Sequence, residues 1–288
     1  MKTSICVITY NHEKFIGQAL DSILRQQTSF PIEIMIGEDF SKDNTRNICK
    51  SYAEKYPDII KLIPADRNVG MMQNFIRTYK ACTGKYIAFV EGDDYWTDSL
   101  KLQKQVDFLE ANTSYSACFH NVLIKSERGG KEKEWIMHEQ LAKDSFSTED
   151  ILGPWFIASA SFMFVNYPDF ELPEWFYNNR FLADLPLMLL LSLRGNFKYI
   201  DEVMAVYRLH DAGMTTTYIG YDKIIAMVFI YQSFNIHTNY KFEKKVKEAM
   251  IYEIDRHVPK HLPNSNIESK EKGKTSTKIL SKVKTIFK

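Results

Sequence analysis

The chain has 288 residues, 45% hydrophobic and 25% charged, a balance that excludes wholesale disorder and fits one large or two small folded domains. Its 37 basic and 36 acidic residues leave a net charge of +1, which excludes bulk electrostatic attraction to nucleic acid. The longest strongly apolar run, around Leu185 to Leu193, falls well short of the roughly 20 residues that span a bilayer. Met1-Lys2-Thr3 leads straight into a short apolar run, so no leader peptide is expected. Cys6, Cys49, Cys82 and Cys118 lie inside apolar patterns without C-x-x-C spacing and read as reduced core thiols of a cytoplasmic protein.

The first hundred residues alternate between two periods. Ser4–Thr9 is a β-branched strand, and Phe15, Ile16, Ala19, Leu20, Ile23 and Leu24 recur at helical spacing up to about Gln26. Ile32–Ile36 is the second strand, and a helix from about Thr45 to Tyr56 follows, with Asp43 as its N-cap and Pro57 as its stop. Ile59–Ile63 is the third strand. The next helix ends near Cys82, with Gly84 expected as its C-terminal cap. Tyr86–Val90 is the fourth strand, and a helix from Ser99 to Glu110 is capped by Asp98. Strands alternating with helices imply right-handed β-α-β units, a parallel sheet covered on both faces, and a ligand site beyond the carboxyl ends of the strands.

Beyond Asn112 the alternation weakens. Tyr115–Ile124 and Trp155–Val165 read as strands, Leu182–Leu193 as a helix, Phe197–Ile200 and Val203–Tyr207 as short strands, and Tyr221–Tyr252 as largely helical. The expected organisation is an α/β domain over residues 1–220, with a nucleotide-binding half (1–112) and an acceptor-binding half (113–220). A helical region (221–259) and a basic tail (260–288) follow.

The strongest chemical signal is Glu91-Gly92-Asp93-Asp94-Tyr95-Trp96, directly after the fourth strand. Three carboxylates in four residues repel one another unless a cation or solvent relieves them, and Mg2+ or Mn2+ with phosphate oxygens is the natural relief. A second signal is Glu38-Asp39 after strand two, which either accepts hydrogen bonds from a nucleobase or ribose or serves as plain turn chemistry. No G-x-G-x-x-G, P-loop, G-x-S-x-G elbow or H-E-x-x-H is present. Phosphate must then be held mainly through a metal, which throws weight on Asp93 and Asp94.

Taken in order, Ile8-Thr9-Tyr10-Asn11, Ile36-Gly37-Glu38-Asp39 through Thr45, Asn68-Val69-Gly70, Gly84-Lys85-Tyr86 through Trp96, Ala183-Asp184-Leu185-Pro186-Leu187 and Ala205-Val206-Tyr207-Arg208-Leu209-His210 resemble the family 2 glycosyltransferases of the GT-A fold. The resemblance covers about residues 3 to 215. It implies a GT-A mixed sheet flanked by helices and an inverting, Mn2+- or Mg2+-dependent transferase. Such an enzyme moves a sugar from a nucleotide-diphosphate donor, with uracil the expected base, to a saccharide or lipid-linked acceptor in cell-surface polysaccharide or glycolipid synthesis. Carried over residue by residue, Thr9, Tyr10, Asn11, Glu13, Glu38, Asp39 and Asn68 would line the nucleotide-sugar pocket. Asp93 and Asp94 would hold the ribose and the metal, and Asp184 would be the catalytic base. Glu38 and Glu91 stand where the family more often has Asp, Phe40 where a small residue is common, and Ala183 where an acid often precedes the base. The alternatives are a sugar-phosphate nucleotidyltransferase, which would normally carry a Gly-rich basic loop after strand one, and a non-catalytic nucleotide-sugar-binding module.

Some roles stay open at this level. Asp184 also suits a helix N-cap ahead of Pro186. His210 either completes the metal shell or caps a strand end, and Arg208 could meet a phosphate. Trp155, Trp175 and Tyr177 could stack on a sugar or pack the core. The tail from Lys260 carries eight lysines against two glutamates, a net +6, which leaves −5 for the rest of the chain. In it Ile279, Leu280, Val283, Ile286 and Phe287 form one helical stripe, preceded by a polar tether over Pro263–Thr277. That pattern suits a helix on an anionic membrane surface, a helix docked on the protein's own acidic surface, or disorder. The expected setting is the cytoplasm, peripheral to the inner face of the membrane.

Overall fold

The structure is a computed structural model that describes residues 3–179, 182–213 and 220–257. The membrane-tail expectation for residues 260–288 lies outside the described residues.

Strand β1 (Thr3–Thr9) is buried along its whole length and sits inside the sheet, where a continuous β-branched run belongs. Helix α1 (Ile16–Leu24) returns with Ile16, Ala19, Leu20 and Ile23 buried, an i, i+3, i+4, i+7 stripe. Strand β2 (Ile32–Glu38), α2 (Thr45–Lys55), β3 (Ile60–Pro64), α3 (Met71–Ala81) and β4 (Tyr86–Glu91) complete the alternation. β2 and β4 flank β1, both parallel to it, and β3 lies outside β2. The chain runs outward through β2 and β3, then crosses back to β4, so the point where strand order reverses falls between β1 and β4. That is where an open α/β sheet forms its crevice.

The short β5 (Tyr95–Trp96) and α4 (Lys101–Ala111) lead to β6 (Tyr115–Ser126). Strands β7 (Lys133–Ile136) and β8 (Ser145–Phe146), helices α5 (Thr148–Ile151) and α6 (Glu174–Asn178) around β9 (Met163–Val165), α7 (Asp184–Ser192), β10 (Asn196–Leu209), α8 (Gly220–His237) and α9 (Glu243–His257) follow. β9 joins β4 to β6 and runs antiparallel to both; β10 pairs with β6 in parallel and with β5 antiparallel. The result is one ten-stranded mixed α/β sheet in the order β3-β2-β1-β4-β9-β6-β10-β5, with β7 paired to β6 and β8 to β10. One apolar layer, including Ile16, Leu20, Ile34 and Leu102, lies under α1 and α4; the other, including Phe75, Phe164, Leu187 and Phe234, lies under α3, α7 and α8. α7 is apolar on every side and accordingly buried from Pro186 to Ser192. Among the described residues no helix is long and apolar enough to cross a membrane.

Several local expectations are corrected. The two short strands near residues 197 and 203 are one strand, β10, whose register against β6 shifts between Ile200 and Ala205. The exposed pair Asp201-Glu202 breaks the apolar pattern there without ending the strand, as at a bulge. Only Met163–Val165 of the strand expected over Trp155–Val165 is extended into the sheet. Asp43 and Asp98 each stand two residues before the first residue of their helix or further; their carboxylates accept the N–H of Thr45 (3.0 Å) and Leu100 (2.7 Å), while Asn44 and Leu100 hold the cap positions. Gly84 is not a helix cap: a Cβ there would lie 2.6 Å from the backbone nitrogen of Ser4, so glycine admits the close approach of β1. The four cysteines are free and buried, as expected.

Candidate active site

Parallel pairing sets Ile8 of β1 opposite Glu91 of β4, so the two strands end side by side. The N–H of Gly92 donates to the Ile8 carbonyl at 2.9 Å and lays the acidic turn against the loop after β1. The contact is too close for any side chain, since a Cβ on Gly92 would sit 2.6 Å from Thr9 Oγ1 and 2.8 Å from Thr9 Cβ. The turn is gripped from the other side by β10. The Arg208 N–H donates to Asp94 Oδ1 at 2.8 Å, and its guanidinium donates to the Asp93 carbonyl and to Gln18. That guanidinium lies 4.5 Å from the Tyr95 ring centroid and 5.0 Å from that of Phe15. Arg208, considered for a phosphate contact, is thus engaged in bracing the turn. His210 Nε2 lies 3.0 Å from Asp93 Oδ2, and His12 Nε2 lies 3.7 Å from the same oxygen.

Glu91, Asp93 and Asp94 each offer a carboxylate oxygen within 4.8 Å of the others. Asp93 Oδ1 and Asp94 Oδ2 are buried without a hydrogen-bond partner. Burial would raise the Asp93 carboxyl, but the charges of His12 and His210 outweigh it and hold Asp93 below the usual carboxylate range. Burial, reinforced by the charge on Asp93, pushes Glu91 and Asp94 well above it. Burial also lowers His12, against the pull of Asp93. Three clustered carboxylates, Asp93 and Asp94 buried with an unsatisfied oxygen each and Glu91 half-buried, fit a hard divalent cation such as Mn2+ or Mg2+.

The loops expected to hold the nucleoside are laced together. Asn11, at φ 54°, takes a left-handed turn that Asn tolerates; its N–H donates to Ser41 Oγ (3.0 Å), and its side-chain oxygen accepts the Lys42 N–H (2.8 Å). The Glu13 N–H donates to Asp43 Oδ2 (3.0 Å), and Glu13 Oε2 accepts the Asn44 N–H (2.9 Å). Thr9 is buried beside His12, 3.3 Å from Oγ1 to Nδ1, and Tyr10 is half-buried at the end of β1. Asp39 accepts the N–H groups of Val69 (2.8 Å) and Gly70 (3.0 Å), while Asn68 donates to its carbonyl (3.1 Å). Burial nevertheless raises the Asp39 carboxyl. Each of its oxygens retains a further lone pair for a base N–H. Glu38 is corrected: its side chain is fully buried, paired with Arg46 and with the Ser41 N–H (2.6 Å), so it faces no ligand space. Arg77 bridges the same strand ends, donating to the carbonyls of Ile63 and Glu38, both at 2.7 Å.

Asp184 opens α7, where Oδ1 accepts the Leu185 N–H at 2.8 Å. Ala183 holds the cap position without a side-chain cap bond, so Asp184 is the first residue of the helix and not the N-cap it was considered for. The side chain also lines a cavity of about 350 Å³, shared with Glu91, Trp155, Tyr207 and Tyr231. Burial raises the Asp184 carboxyl. Tyr207 lies in the field of Glu91, Asp93, Asp94 and Asp184 together. Of the aromatics considered for sugar stacking, Trp155 lines the cavity, 42% exposed and 5.7 Å from Tyr207. Trp175 packs against Phe176 and His237, and Tyr177 against Lys80. Sequence reasoning passed over His12 as an Asp93 partner and Tyr207 as a wall. His12 had no signal beyond its place after β1; Tyr207 stood in a quoted motif without a role.

The site sits at the strand-reversal crevice of a GT-A sheet, and the chain belongs to the glycosyl transferase family 2, whose model matches residues 4–169. It is 36% identical over 212 residues to the protein Rv1520 of Mycobacterium tuberculosis, covering 73% of this chain and 60% of that one. It is 29% identical over 215 residues to the putative teichuronic acid biosynthesis glycosyltransferase TuaG of Bacillus subtilis, covering 72% and 80%. Among solved structures, residues 1–349 of S. aureus TarS in complex with UDP-GlcNAc superpose with a TM-score of 0.62 at 19% identity, over 94% of this chain and 77% of that one. The mannosyltransferase PcManGT of Pyrobaculum calidifontis, in complex with GDP-Man and Mn2+, gives 0.56 at 14%, over 99% and 80%. The mixed sheet and its C-terminal helix pair are therefore of the GT-A type.

Proposed function

We propose that the chain transfers a sugar, with inversion, from a nucleotide-diphosphate sugar to an acceptor hydroxyl in the building of a cell-surface polysaccharide or glycolipid. The observation that carries this reading is a single cavity lined both by Glu91 of the acidic turn and by Asp184. Asp93 and Asp94, with Glu91, would hold Mn2+ or Mg2+, which when bound neutralises charge on the departing diphosphate. His210, beside Asp93, would either complete that shell or tune its carboxylate. Thr9, Tyr10, Asn11, Glu13, Asp39 and Asn68 would shape the nucleoside pocket. Asp184 would take the proton from the acceptor hydroxyl as that oxygen attacks the anomeric carbon. Its raised carboxyl brings its basicity closer to what proton abstraction near neutrality requires.

Support for a UDP-type donor and for a divalent metal comes from the ligands of TarS and PcManGT, and support for a surface polysaccharide from the name of TuaG. The test is a panel of UDP-, GDP- and dTDP-sugars, each with Mn2+, Mg2+ or EDTA, read as release of nucleoside diphosphate. Release from one donor family that EDTA abolishes supports the reading. No metal-dependent release from any donor, by a folded chain that also shows no nucleotide binding, would overturn it.

A further inference from the structure

Helices α7 and α8 both carry apolar residues on every side, yet they meet different surroundings. α7 is buried from Pro186 to Ser192, whereas α8 keeps a line of large apolar side chains in solvent. Tyr221, Ile225 and Ile236 are each 54% exposed, and Phe229 is half-buried. At 3.6 residues per turn these four fall within about 80° of the helix circumference, along a line about 22 Å long. Single apolar residues on a surface need no explanation, but a line of them along one helix does.

The opposite face of α8 is already committed. Lys223, Met227 and Tyr231, four residues apart, line the cavity that holds Asp184. That cavity therefore lies about one helix diameter, roughly 10 Å, behind the apolar line. The end of α9 meets the start of α8: Lys223 feels the charges of Glu253 and Arg256, and His257 feels that of Lys223. The chain thus passes beyond His257 close to the first turn of α8, where the line begins. Residues 258–288 follow, and from Lys260 they carry the net +6 and the apolar stripe of the basic tail.

We propose that the outer face of α8 docks on an anionic lipid bilayer, with Tyr221, Ile225, Phe229 and Ile236 at the boundary between headgroups and acyl chains and the basic tail beside them. A tyrosine at the end of the line suits that boundary, where an apolar ring lies below a wet hydroxyl. A line one side chain wide is far short of the roughly 800 Å² per partner of a stable dimer. A membrane asks for less: a modest apolar face and a polybasic segment are two signals that hold a protein together where each alone is weak. The docking does not depend on the transferase reading. Where both hold, an acceptor hydroxyl carried on a lipid has about one helix diameter to cross to the cavity of Asp184.

The test is co-sedimentation of the full chain with vesicles of phosphatidylglycerol and phosphatidylcholine. Ile225→Gln combined with Ile236→Gln alters side chains already half in water, so the near-ultraviolet circular dichroism should be unchanged. Vesicle binding should fall by about tenfold or more, while Ile225→Leu with Ile236→Leu should bind as wild type, which ties the loss to apolar contact. A second measurement reads the face directly. The four native cysteines are buried, so Ile225→Cys can carry an environment-sensitive fluorophore, whose emission should shift to the blue on vesicles. The same label in place of exposed Lys50 on α2, which packs in the other apolar layer, should not shift. No vesicle binding by wild type, equal binding by the glutamine pair, or a label at position 225 that vesicles leave unchanged would overturn the proposal. A dimer that the glutamine pair dissolves while vesicle binding persists would also overturn it and give the face to a second copy of the chain.

Discussion

Asp94 Oδ1 accepts the backbone N–H of Arg208 at 2.8 Å across 114 residues of sequence. The acidic turn after β4 is thereby held by β10, a strand from the second half of the chain. The same stretch delivers His210 to Asp93, so the acidic turn, local in sequence, is braced by residues of the second half of the chain.

Gly92 is the narrowest point of that arrangement. Gly92→Ala would force a methyl group to within 2.6 Å of Thr9 Oγ1 and push the turn off β1. The expected cost is about 1–3 kcal/mol of stability, measured by urea unfolding, with weaker Mn2+-dependent nucleotide binding. Unchanged stability and nucleotide affinity would mean that the turn and β1 are less closely fitted than described.

Asp184→Asn should lower kcat by roughly a hundredfold or more while donor affinity is retained. A base must be ionised to act, and burial raises this carboxyl. The wild-type rate should therefore fall with acid at a pH above the ordinary aspartate range, and the Asn variant should lose that limb. A collapse of donor affinity together with the rate would assign Asp184 to positioning.

How much of this was legible in the sequence differs by region. The β1–β4 alternation was legible because buried β-branched runs and amphipathic helices each impose their own period, and the strand-end loops followed from topology. The site's second half was less so. Asp201-Glu202 masked the continuity of β10, and the apolar residues Trp155–Ile157 imitate a strand while they line a cavity. Glu38 shows a different limit: its position beside Asp39 suggested a ligand, and only the packing of Arg46 shows that its charge is spent inside the protein. That Lys223 of α8 lines the same cavity as Asp184 of α7 is a long-range relationship that no local pattern encodes.

Glu33 gives a pH test of the fold that is independent of the site. Its Oε1 accepts Ser4 Oγ (2.5 Å), the Thr83 N–H (2.7 Å) and Thr83 Oγ1 (2.8 Å), tying β2 to β1 and to the entry of β4. Burial opposes ionisation, but these bonds outweigh it and lower the folded pKa. The resulting stability is present above the unfolded glutamate value of about 4.3 and is lost as pH falls through the folded value. Glu33→Gln should cost on the order of 1 kcal/mol at pH 7, with the gap to wild type closing below about pH 4. A gap independent of pH would contradict the role given to the carboxylate.

The basic tail is tested on liposomes. Each lysine near an anionic surface contributes on the order of 1 kcal/mol, so the full chain should co-sediment with anionic vesicles at low salt and be released by high salt. A truncation ending at Pro263 should stay in the supernatant. Equal behaviour of the two chains would remove the tail from the account.

In the proposed transferase, Glu91, Asp93 and Asp94 would bind the donor through a divalent cation. The most direct test of this is calorimetric titration of the donor sugar nucleotide into wild type, Asp93→Ala and Asp94→Ala, with Mn2+ and with EDTA, each chain first shown to be folded by its near-ultraviolet circular dichroism. Wild type should bind tightly with Mn2+ only, and both variants should lose that metal-dependent binding. Donor binding of equal strength with EDTA, or metal-dependent binding that survives in the folded variants, would contradict it.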